Sequence, residues 1–261
     1  MGKQSSVVGN AKDIHIVLGA KGGIGKTYVA SLLAQYATRS NAPMKVLDLD
    51  QSNSMLARIP SLNARAVDLL TDAKFDSQKM DALLETMMKD DGPFLIDVGA
   101  STFVEVWRYL TKYGILSGIE AEGFRLVIHT VIVGGPEMAD VLAGLKEIIS
   151  KIEGRQVVVW LNPIRGKIER NGKTFQESEV YKLAKDKILA LVPMSDADEA
   201  TLNDLHRMAQ DKHTLLTVDS VEQYQFFTKR RLKTYRDELF IQLDGVWSAI
   251  NGAERAARAT A

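Results

Sequence analysis

Short apolar runs alternate along this chain with longer segments in which apolar residues recur every three or four positions. Continuous apolar runs of about four to eight residues are typical of buried strands, and the longer spacing is typical of helices with one buried face. We therefore predict strands over residues 13–19, 44–50, 93–99, 124–133, 156–162 and 188–193. Because helices separate these strands, the sequence predicts an α/β fold with a mainly parallel sheet and helices on both faces.

The segments between the strands predict amphipathic helices. Residues 80–88 carry apolar side chains at helical spacing, behind Asp76 or Ser77 as the capping residue. A second helix begins at Thr102, which can form a capping box with Glu105 and would extend to residue 113. The other predicted helices cover residues 27–39, about 136–152, 177–186, 198–210 and about 220–251.

The dipeptide Asn171-Gly172 interrupts this alternation. Asn-Gly favours a type I′ turn, so residues 163–176 are predicted to form a small protruding hairpin. We find no internal repeat, low-complexity tract or linker in the sequence, which indicates a single domain over residues 13–251. Residues 1–12 and 252–261 are predicted to be flexible segments on either side of that domain.

Composition narrows the range of functions. Lysine plus arginine and aspartate plus glutamate each number 33, so the net charge is zero, and contact with nucleic acid or an anionic membrane would need a local basic patch. The absence of cysteine excludes disulfides, thiolate nucleophiles and cysteine-held zinc or iron–sulfur sites. No apolar run approaches the roughly 18 to 20 residues that cross a bilayer, and the start lacks the apolar core of a secretory signal. We therefore expect a cytoplasmic protein without an integral membrane segment.

A glycine-rich segment, AKGGIGKT at residues 20–27, lies between the first predicted strand and the first predicted helix. A bound triphosphate needs backbone N–H groups that point inward, a helix N-terminus, a lysine ammonium group and a hydroxyl group for Mg²⁺. The glycines let the backbone approach the phosphates, Lys26 supplies the charge and Thr27 supplies the hydroxyl group. The sequence therefore predicts a site for ATP and Mg²⁺. The alternative is an ordinary glycine-rich turn with two solvated lysines.

Three aspartates end predicted strands beside this segment. Asp48 and Asp50 close the second strand on the same side of it, and Asp97 closes the third strand. Carboxylates at such strand ends can support a metal ion and orient an attacking water molecule. Taken singly, each aspartate could instead cap a helix or form a turn.

The pattern K-G-G-x-G-K-T begins at Lys21, and Ala20 stands where the common P-loop motif has glycine. This segment resembles the deviant Walker A loop of the ParA/MinD ATPases. The resemblance implies that ATP binding produces a homodimer in which Lys21 reaches the partner's nucleotide. It also implies that Asp50 positions or activates the attacking water, with Lys21 and Lys26 acting beside it in hydrolysis.

The same resemblance indicates which residues would hold Mg²⁺ and how the loop after the second strand would differ from the family. It implies that Thr27 contacts Mg²⁺ and that Asp48 and Asp97 support the ion through its water molecules. The family commonly has proline after the second acid of this strand, where the present chain has Gln51. That departure puts the rigidity of the loop, and with it the hydrolysis rate, in question.

The base of the nucleotide has its own candidate contacts. Asn162 resembles the asparagine that reads adenine, and Pro193 stands where the family passes backbone beside the base. Asn162-Pro163 could instead be a simple turn former. The nucleotide contacts implied by the resemblance are Lys21, Gly22, Gly23, Ile24, Gly25, Lys26, Thr27, Tyr28, Asn162 and Pro193.

Longer stretches resemble the TraL/StbB-type proteins of bacterial conjugative plasmids. With the nucleotide motifs they span about residues 14–244, and the matching stretches are FLIDVGASTFVEVWRYL, VIHTVIVGG, VVWLNPIRGKIERNGKTF and RRLKTYRDELFIQLD. The resemblance implies an ATP-driven switch that acts with conjugation or plasmid-maintenance proteins, in the cytoplasm or at the inner face of the membrane. Two other functions stay open, a small-molecule ATP-dependent kinase or ligase of the same fold and a nucleotide-binding adaptor with little turnover.

Two groups of basic residues are candidate docking surfaces. Residues 229–236 carry five positive charges without an acid among them, and such a run could contact DNA phosphates non-specifically. The alternative is the solvated face of a helix whose other side is buried. The run consists of Lys229, Arg230, Arg231, Lys233 and Arg236, and the predicted hairpin adds Arg165, Lys167, Arg170 and Lys173.

The sequence also gives predictions for two side chains inside apolar strands. His129 lies within a long apolar strand and is predicted to be a hydrogen-bonded core residue. Trp160 precedes Asn162 by two positions and shares its strand face. The fluorescence of Trp160 is therefore predicted to change when ATP binds.

Overall fold

The computed structural model describes residues 12–50, 53–90, 92–154 and 156–260, with the backbone alone described for 253–260. Its strands are β1 (Asp13–Val17), β2 (Lys45–Asp48), β3 (Arg65–Ala66), β4 (Leu70–Thr71), β5 (Lys74–Phe75), β6 (Phe94–Asp97), β7 (Arg125–Val133), β8 (Val157–Asn162), β9 (Glu169–Arg170), β10 (Lys173–Thr174) and β11 (Ile188–Pro193). Its α-helices are α1 (Lys26–Arg39), α2 (Ser77–Met88), α3 (Phe103–Lys112), α4 (Ile115–Ala121), α5 (Met138–Lys151), α6 (Glu179–Ala184), α7 (Glu199–Gln210) and α8 (Phe226–Thr260).

Seven parallel strands form one sheet in the order β11-β8-β7-β1-β6-β2-β3. β1 lies at the centre of the sheet, paired with β6 on one side and with β7 on the other. All six strands predicted from the apolar runs occur, and all of them belong to this sheet. The carboxyl ends of β1, β2 and β6 therefore meet at one edge of the sheet, where the glycine-rich loop and the three aspartates follow them.

Helices cover both faces of the sheet. The chain moves from β1 to β2 in one direction across the sheet, and from β6 through β7 and β8 to β11 in the other. Because crossovers between parallel strands are right-handed, α1 lies on one face and α3 to α6 lie on the other. α8 packs beside α1, where the Tyr36 ring lies 4.8 Å from the Trp247 ring and the Tyr36 hydroxyl donates a hydrogen bond to Asp244. The predicted α/β architecture is confirmed.

A chain of hydrogen-bonded rings crosses the core between β8, β7 and β1. The Trp160 indole Nε1 donates to His129 Nδ1 at 3.1 Å, and His129 Nε2 lies 3.0 Å from His15 Nδ1. Burial lowers the pKa of His129 well below its usual range and lowers the pKa of His15 to about 4, so both rings are neutral. Because His129 Nδ1 accepts from the indole, the single proton of His129 is on Nε2 and is donated to His15. The prediction that His129 is a hydrogen-bonded core residue is confirmed.

An ion pair at the amino ends of β1 and β7, opposite the end that carries the glycine-rich loop, is linked to α8. Arg125 Nε and Nη2 donate to the two carboxylate oxygens of Asp13 at 2.8 Å and 2.6 Å. Arg125 Nη1 also donates to the carbonyl oxygen of Ile250 at 3.1 Å. Since Asp13 is fully buried, this bidentate pair satisfies a charge that would otherwise be costly to bury.

The predicted hairpin occurs as the antiparallel pair β9 and β10. Asn171 and Gly172 connect the two strands with φ angles of 52° and 72°, as a type I′ turn requires. The predicted cap of α2 also occurs, because the Asp76 side chain accepts from the backbone N–H groups of residues 78 and 79. These two local predictions are confirmed.

Other local features differ from the sequence prediction. Thr102 precedes α3, but its hydroxyl group makes no capping hydrogen bond and instead donates to the carbonyls of Leu49 and Gly99 at 3.4 Å and 3.3 Å. The predicted capping box was therefore wrong, because the Thr102 hydroxyl group bonds instead to carbonyls that follow β2 and β6. α4 and the β4–β5 hairpin had no prediction in the sequence.

The last helix differs in its bounds. α8 begins at Phe226 and ends at Thr260, so it starts and ends later than the predicted helix over about 220–251.

Residues 1–11 lie outside the described residues. The division of the chain into one domain with flexible ends at 1–12 and 252–261 stays a prediction. Among the described helices, none has both the length and the hydropathy that a membrane span requires.

Candidate functional site

Residues 18–25 form the loop between β1 and α1. Gly23 and Gly25 have φ angles of 70° and 97°, a left-handed backbone that favours glycine. Gly25 is also the N-cap of α1, so the N–H groups of the first helical turn, which have no partner within the helix, face this loop. Gly22 and Gly23 are exposed and Ile24 is buried beneath them. Such a loop presents backbone donors to an anion.

Lys26, the first residue of α1, is buried beneath the loop. Its side chain is 6% exposed, and its Nζ donates to the carbonyl oxygen of Lys21 at 2.6 Å. Burial lowers the pKa of Lys26, whereas the nearby carboxylates of Asp97 and Asp50 act in the opposite direction. The ammonium group therefore lies between the loop and the acids, and its contact with phosphate stays a prediction.

Lys21 has a different environment at the start of the loop. Its Nζ lies 2.8 Å from Oδ2 of Asp140 in the first turn of α5, and both side chains are exposed. The hydrogen bond and charge of Asp140 raise the pKa of Lys21, with a smaller contribution from Glu137. One buried oxygen of Glu137, Oε2, has no hydrogen-bond partner among the described residues. Lys21 is thus paired with an acid of its own chain, a contact that the sequence did not predict.

Asp97 ends β6 next to the loop and is almost completely buried. Within the described ranges, neither carboxylate oxygen has a partner at hydrogen-bond distance. Burial raises the pKa of Asp97 to about 7, and Asp48 adds to the rise, whereas the facing Thr27 hydroxyl and the Lys26 ammonium group oppose it. A carboxylate buried without partners costs free energy, so this position fits a cation or its water molecules.

Asp48 lies opposite Asp97 in the register of β2 and β6. Its Oδ1 accepts from the backbone N–H of Asp50 at 3.1 Å, and its Oδ2 accepts from the backbone N–H of Ala57 at 3.1 Å. Burial raises the pKa of Asp48, and these two hydrogen bonds oppose the rise. The structure therefore gives Asp48 a role in holding the segment after β2, while its support of Mg²⁺ stays a prediction.

Asp50 lies at the start of the same segment, half-buried against the end of β6. Its Oδ1 accepts from the backbone N–H of Asn53 at 3.3 Å. A Cβ atom built on Gly99 would lie 2.8 Å from Cγ of Asp50 and 2.9 Å from its Cα. Gly99 therefore permits this close approach. The sequence pattern of the segment FLIDVG predicted no role for its glycine. Gln51, whose effect on the loop was in question, lies outside the described residues.

Asn162, at the end of β8, supports the glycine-rich loop directly. Its Nδ2 donates to the carbonyl oxygen of Ile24 at 3.0 Å, and its Oδ1 accepts from the backbone N–H of Ile164 at 3.2 Å. A Cβ atom on Gly25 would lie 2.6 Å from Nδ2, so glycine is required there for packing as well as for its φ angle. Asn162 thus joins β8 to the loop, and its contact with adenine stays a prediction.

Pro193 and Tyr28, two further predicted nucleotide contacts, lie on different elements. Pro193 ends β11, pairs with Leu161 of β8 and is exposed at the same edge of the sheet. The Tyr28 hydroxyl is buried, and burial together with Tyr235 of α8 raises its pKa well above the usual range. The Tyr28 side chain is therefore directed at α8, and only its backbone N–H, in the first turn of α1, is available to a ligand in the loop.

Four of the five basic residues at the start of α8 are engaged by groups of the same chain. Lys229 Nζ donates to the carbonyl oxygen of Asp219 at 2.9 Å. Three further members form ion pairs, Arg231 with Asp204 at 2.6 Å, Lys233 with Asp219 at 2.5 Å and Arg236 with Asp237 at 2.8 Å. The run is therefore less available to DNA than its sequence indicated, and DNA contact stays a prediction.

The fold and this site define the class of the protein, an α/β protein with a P-loop at the carboxyl edge of a parallel sheet. A scan against protein-family models gave no match. Two proteins named Protein TraL from Escherichia coli are each 32% identical to the chain over 233 residues, which cover 88% of this chain and 97% of each relative. The chain therefore belongs to the TraL family, and the resemblance to TraL-type proteins is confirmed.

Solved structures with a similar fold are more distant. MinD from Aquifex aeolicus, described as a cell division protein, has a TM-score of 0.48 at 13% identity and covers 88% of this chain and 97% of its own. The MinC:MinD cell division protein complex of the same organism has a TM-score of 0.48 at 15% identity, with coverage of 88% and 95%. A plasmid partition protein from Borrelia burgdorferi has a TM-score of 0.43 at 15% identity, with coverage of 77% and 98%.

Proposed function

We propose that this TraL-family protein binds ATP with Mg²⁺ at residues 21–27 and uses hydrolysis to switch between a monomer and an ATP-bound homodimer. The observation that carries the proposal is the buried carboxylate of Asp97, which has no hydrogen-bond partner among the described residues and faces Thr27 and Lys26. A hydroxyl group, a carboxylate and an ammonium group beside a loop of backbone donors are what a magnesium nucleotide requires.

The residues present fit both parts of that ligand. Thr27 and Asp97 would hold Mg²⁺, directly or through water, with Asp48 beside them. The ion would neutralise the charge of the phosphates. Lys26 would exchange its bond to the Lys21 carbonyl for the outer phosphates, and the N–H groups of the loop would bind the phosphate oxygens.

Asp50 is proposed to orient the water that attacks the terminal phosphate. Its backbone N–H is bound by Asp48 and its Oδ1 by the N–H of Asn53, so the start of the segment after β2 holds it at the sheet edge. Positioning of this kind and charge stabilisation supply most of the catalysis of phosphoryl transfer.

The switch is proposed to involve Lys21 of each subunit. Its ammonium group is exposed and paired with Asp140, and an exposed pair of this kind is weak enough to be exchanged for another anion. The proposed anion is the nucleotide of the partner subunit. The TraL relatives and the resemblance to conjugative plasmid proteins support a role in plasmid transfer or maintenance, through partner proteins that bind one of the two states.

The test is to measure molar mass by gel filtration with light scattering, with and without ATP and Mg²⁺. Asp50→Ala is expected to accumulate the ATP-bound dimer, because bound ATP is no longer hydrolysed. Lys26→Ala is expected to lose nucleotide binding and to stay monomeric, with an unchanged circular dichroism spectrum. Asp186→Ala, which removes an exposed acid between α6 and β11, is the matched control and should behave as wild type.

The outcomes separate the parts of this proposal. If the wild-type protein binds no ATP, the nucleotide site itself is wrong. If Asp50→Ala binds ATP but remains monomeric, the site stands and the switch is wrong. If ATP is bound but a single-turnover assay detects no hydrolysis, the protein is a nucleotide-binding adaptor.

A further inference from the structure

The turn after β8 brings an arginine to the glycine-rich loop. A Cβ atom built on Gly23 would lie 3.4 Å from Nη2 of Arg165, so the guanidinium group lies directly against the loop backbone. Arg165 follows Asn162 by three residues, in the short 3-10 turn Pro163–Arg165. The sequence had placed Arg165 with the basic residues of the hairpin, away from the nucleotide motifs.

The backbone of this turn is fixed from two sides. Asn162 bonds to the loop at Ile24 and to the N–H of Ile164, and the N–H of Gly166 donates to the carbonyl of Pro163 at 2.7 Å. These hydrogen bonds hold the turn in contact with the P-loop on one side.

The loop after β7 packs against the other side. A Cβ atom on Gly135 would lie 2.9 Å from the carbonyl oxygen of Arg165, and one on Gly134 would lie 2.0 Å from that of Lys167. The two glycines therefore allow backbone to pack against backbone at this point. The position of Arg165 over the loop is a consequence of the fold, since both neighbouring segments hold its backbone.

The charge of Arg165 is unpaired. Its guanidinium group makes no hydrogen bond or ion pair with any residue in the described part of the chain. The two lysines of the loop are both engaged, Lys21 with Asp140 and Lys26 with a loop carbonyl. Arg165 is therefore the cation whose donors are all available where the loop would hold phosphate.

We propose that Arg165 binds the phosphate chain of the nucleotide, beyond the phosphate attached to the ribose. This inference rests on the proposed nucleotide site and adds a residue to it. The planar guanidinium fork suits two phosphate oxygens at once, which a lysine at the same position does not match. Arg165 lies in the turn that begins directly after Asn162. This single stretch of chain would therefore contact the base through Asn162 and the phosphates through Arg165.

The test compares the affinities of ATP, ADP and AMP for the full-length protein by isothermal titration calorimetry at low and high salt. Arg165→Gln is expected to weaken ATP and ADP binding by about tenfold, as for loss of one charge-assisted contact, and to leave AMP binding unchanged. The affinity of the variant for ATP should also fall less steeply with salt, because one screened charge is missing. Arg165→Lys should recover part of the loss.

Arg170→Ala, which removes an exposed arginine from β9 of the same hairpin, is the matched control and should bind all three nucleotides as wild type does. If Arg165→Gln and Arg165→Lys both bind ATP with wild-type affinity and salt dependence, the inference is wrong while the nucleotide site stands. Equal losses for AMP and ATP would also overturn it, because they would indicate a disturbed loop. A wild-type protein that binds no ATP would refute the proposed function itself.

Discussion

Lys21 and Asp140 form an ion pair between the start of the glycine-rich loop and the start of α5, with Nζ 2.8 Å from Oδ2. The lysine proposed to reach the nucleotide of a partner subunit is thus held by an acid of its own chain. In the proposed dimer this contact would have to break, so Asp140 would compete with the partner's nucleotide for Lys21. An exposed pair is weak, and the competition is therefore reversible.

Replacement of Asp140 tests this competition. Asp140→Asn is expected to increase the fraction of ATP-bound dimer at a given protein concentration, by less than about tenfold because exposed pairs contribute little. The measurement is analytical ultracentrifugation of Asp140→Asn in the Asp50→Ala background, so that hydrolysis does not deplete ATP. Asp186→Asn in the same background is the control. A decrease in the dimer would mean that Asp140 supports the interface rather than competing with it.

The contact between Gly99 and Asp50 predicts a separation of hydrolysis from binding. Gly99→Ala would place a Cβ atom 2.9 Å from the Cα of Asp50 and displace the acid from the sheet edge. We expect the hydrolysis rate to fall by about tenfold or more, as misplacement of a catalytic group does, while ATP affinity changes little. Single-turnover hydrolysis and ATP titration check the two expectations. Gly118→Ala on α4, where a Cβ atom would meet nothing within 4 Å, is the control, and an equal loss in both variants would contradict the assignment.

The strands of the sheet and the acids at their ends could be predicted because each depends only on a short stretch of sequence. A buried parallel strand is a short apolar run, and Asp48 and Asp97 end two such runs that prove to be neighbours in register. The hairpin at Asn171-Gly172 was predicted for the same reason. The β4–β5 hairpin also turns through two left-handed residues, Asp72 and Ala73 with φ angles of 50° and 59°, but alanine gives no sequence indication of such a turn.

The contacts across the site could not be predicted in this way. Lys21 and Asp140 are 119 positions apart, and Asn162 and Ile24 are 138 apart, so each contact depends on where the fold places α5 and β8 relative to the loop after β1. Arg165 was assigned to the hairpin because its sequence neighbours belong to it. Its place against the P-loop follows from close backbone packing, which no pattern of residue types specifies.

The buried carboxylate of Asp97 predicts a trade between stability and function. Asp97→Asn removes a buried charge that has no hydrogen-bond partner in the described part of the chain, so the nucleotide-free protein should become more stable by about 1–3 kcal/mol. The same change should abolish the dependence of ATP binding on Mg²⁺. Urea denaturation without nucleotide and ATP titration with and without Mg²⁺ measure the two effects. A destabilised variant that retains Mg²⁺-dependent binding would contradict the proposed role of Asp97.

The neutral histidine pair predicts a loss of stability in mild acid. The pKa of His15 is lowered from 6.5 to about 4 chiefly by burial, with Asp13 opposing and Arg125 adding to the shift. A group whose folded pKa is lowered contributes stability above its unfolded pKa, and this contribution is lost as the pH falls from 6.5 towards 4. For His15 alone the loss is about 3 kcal/mol when complete, and His129 shifts in the same direction. The measurement is the free energy of unfolding in urea between pH 8 and pH 5.

A variant separates this effect from the titration of other groups. His15→Asn keeps an amide oxygen able to accept from Nε2 of His129, but it does not titrate in this range. We expect His15→Asn to be less stable than wild type at pH 8, because the stacking of His15 on Trp247 is lost, and to lose less stability than wild type on acidification. His206→Asn, at a histidine on α7 outside the ring chain, is the control and should keep the wild-type slope. If wild type and His15→Asn lose the same free energy between pH 8 and pH 5, the buried pair does not set the acid limit of this fold.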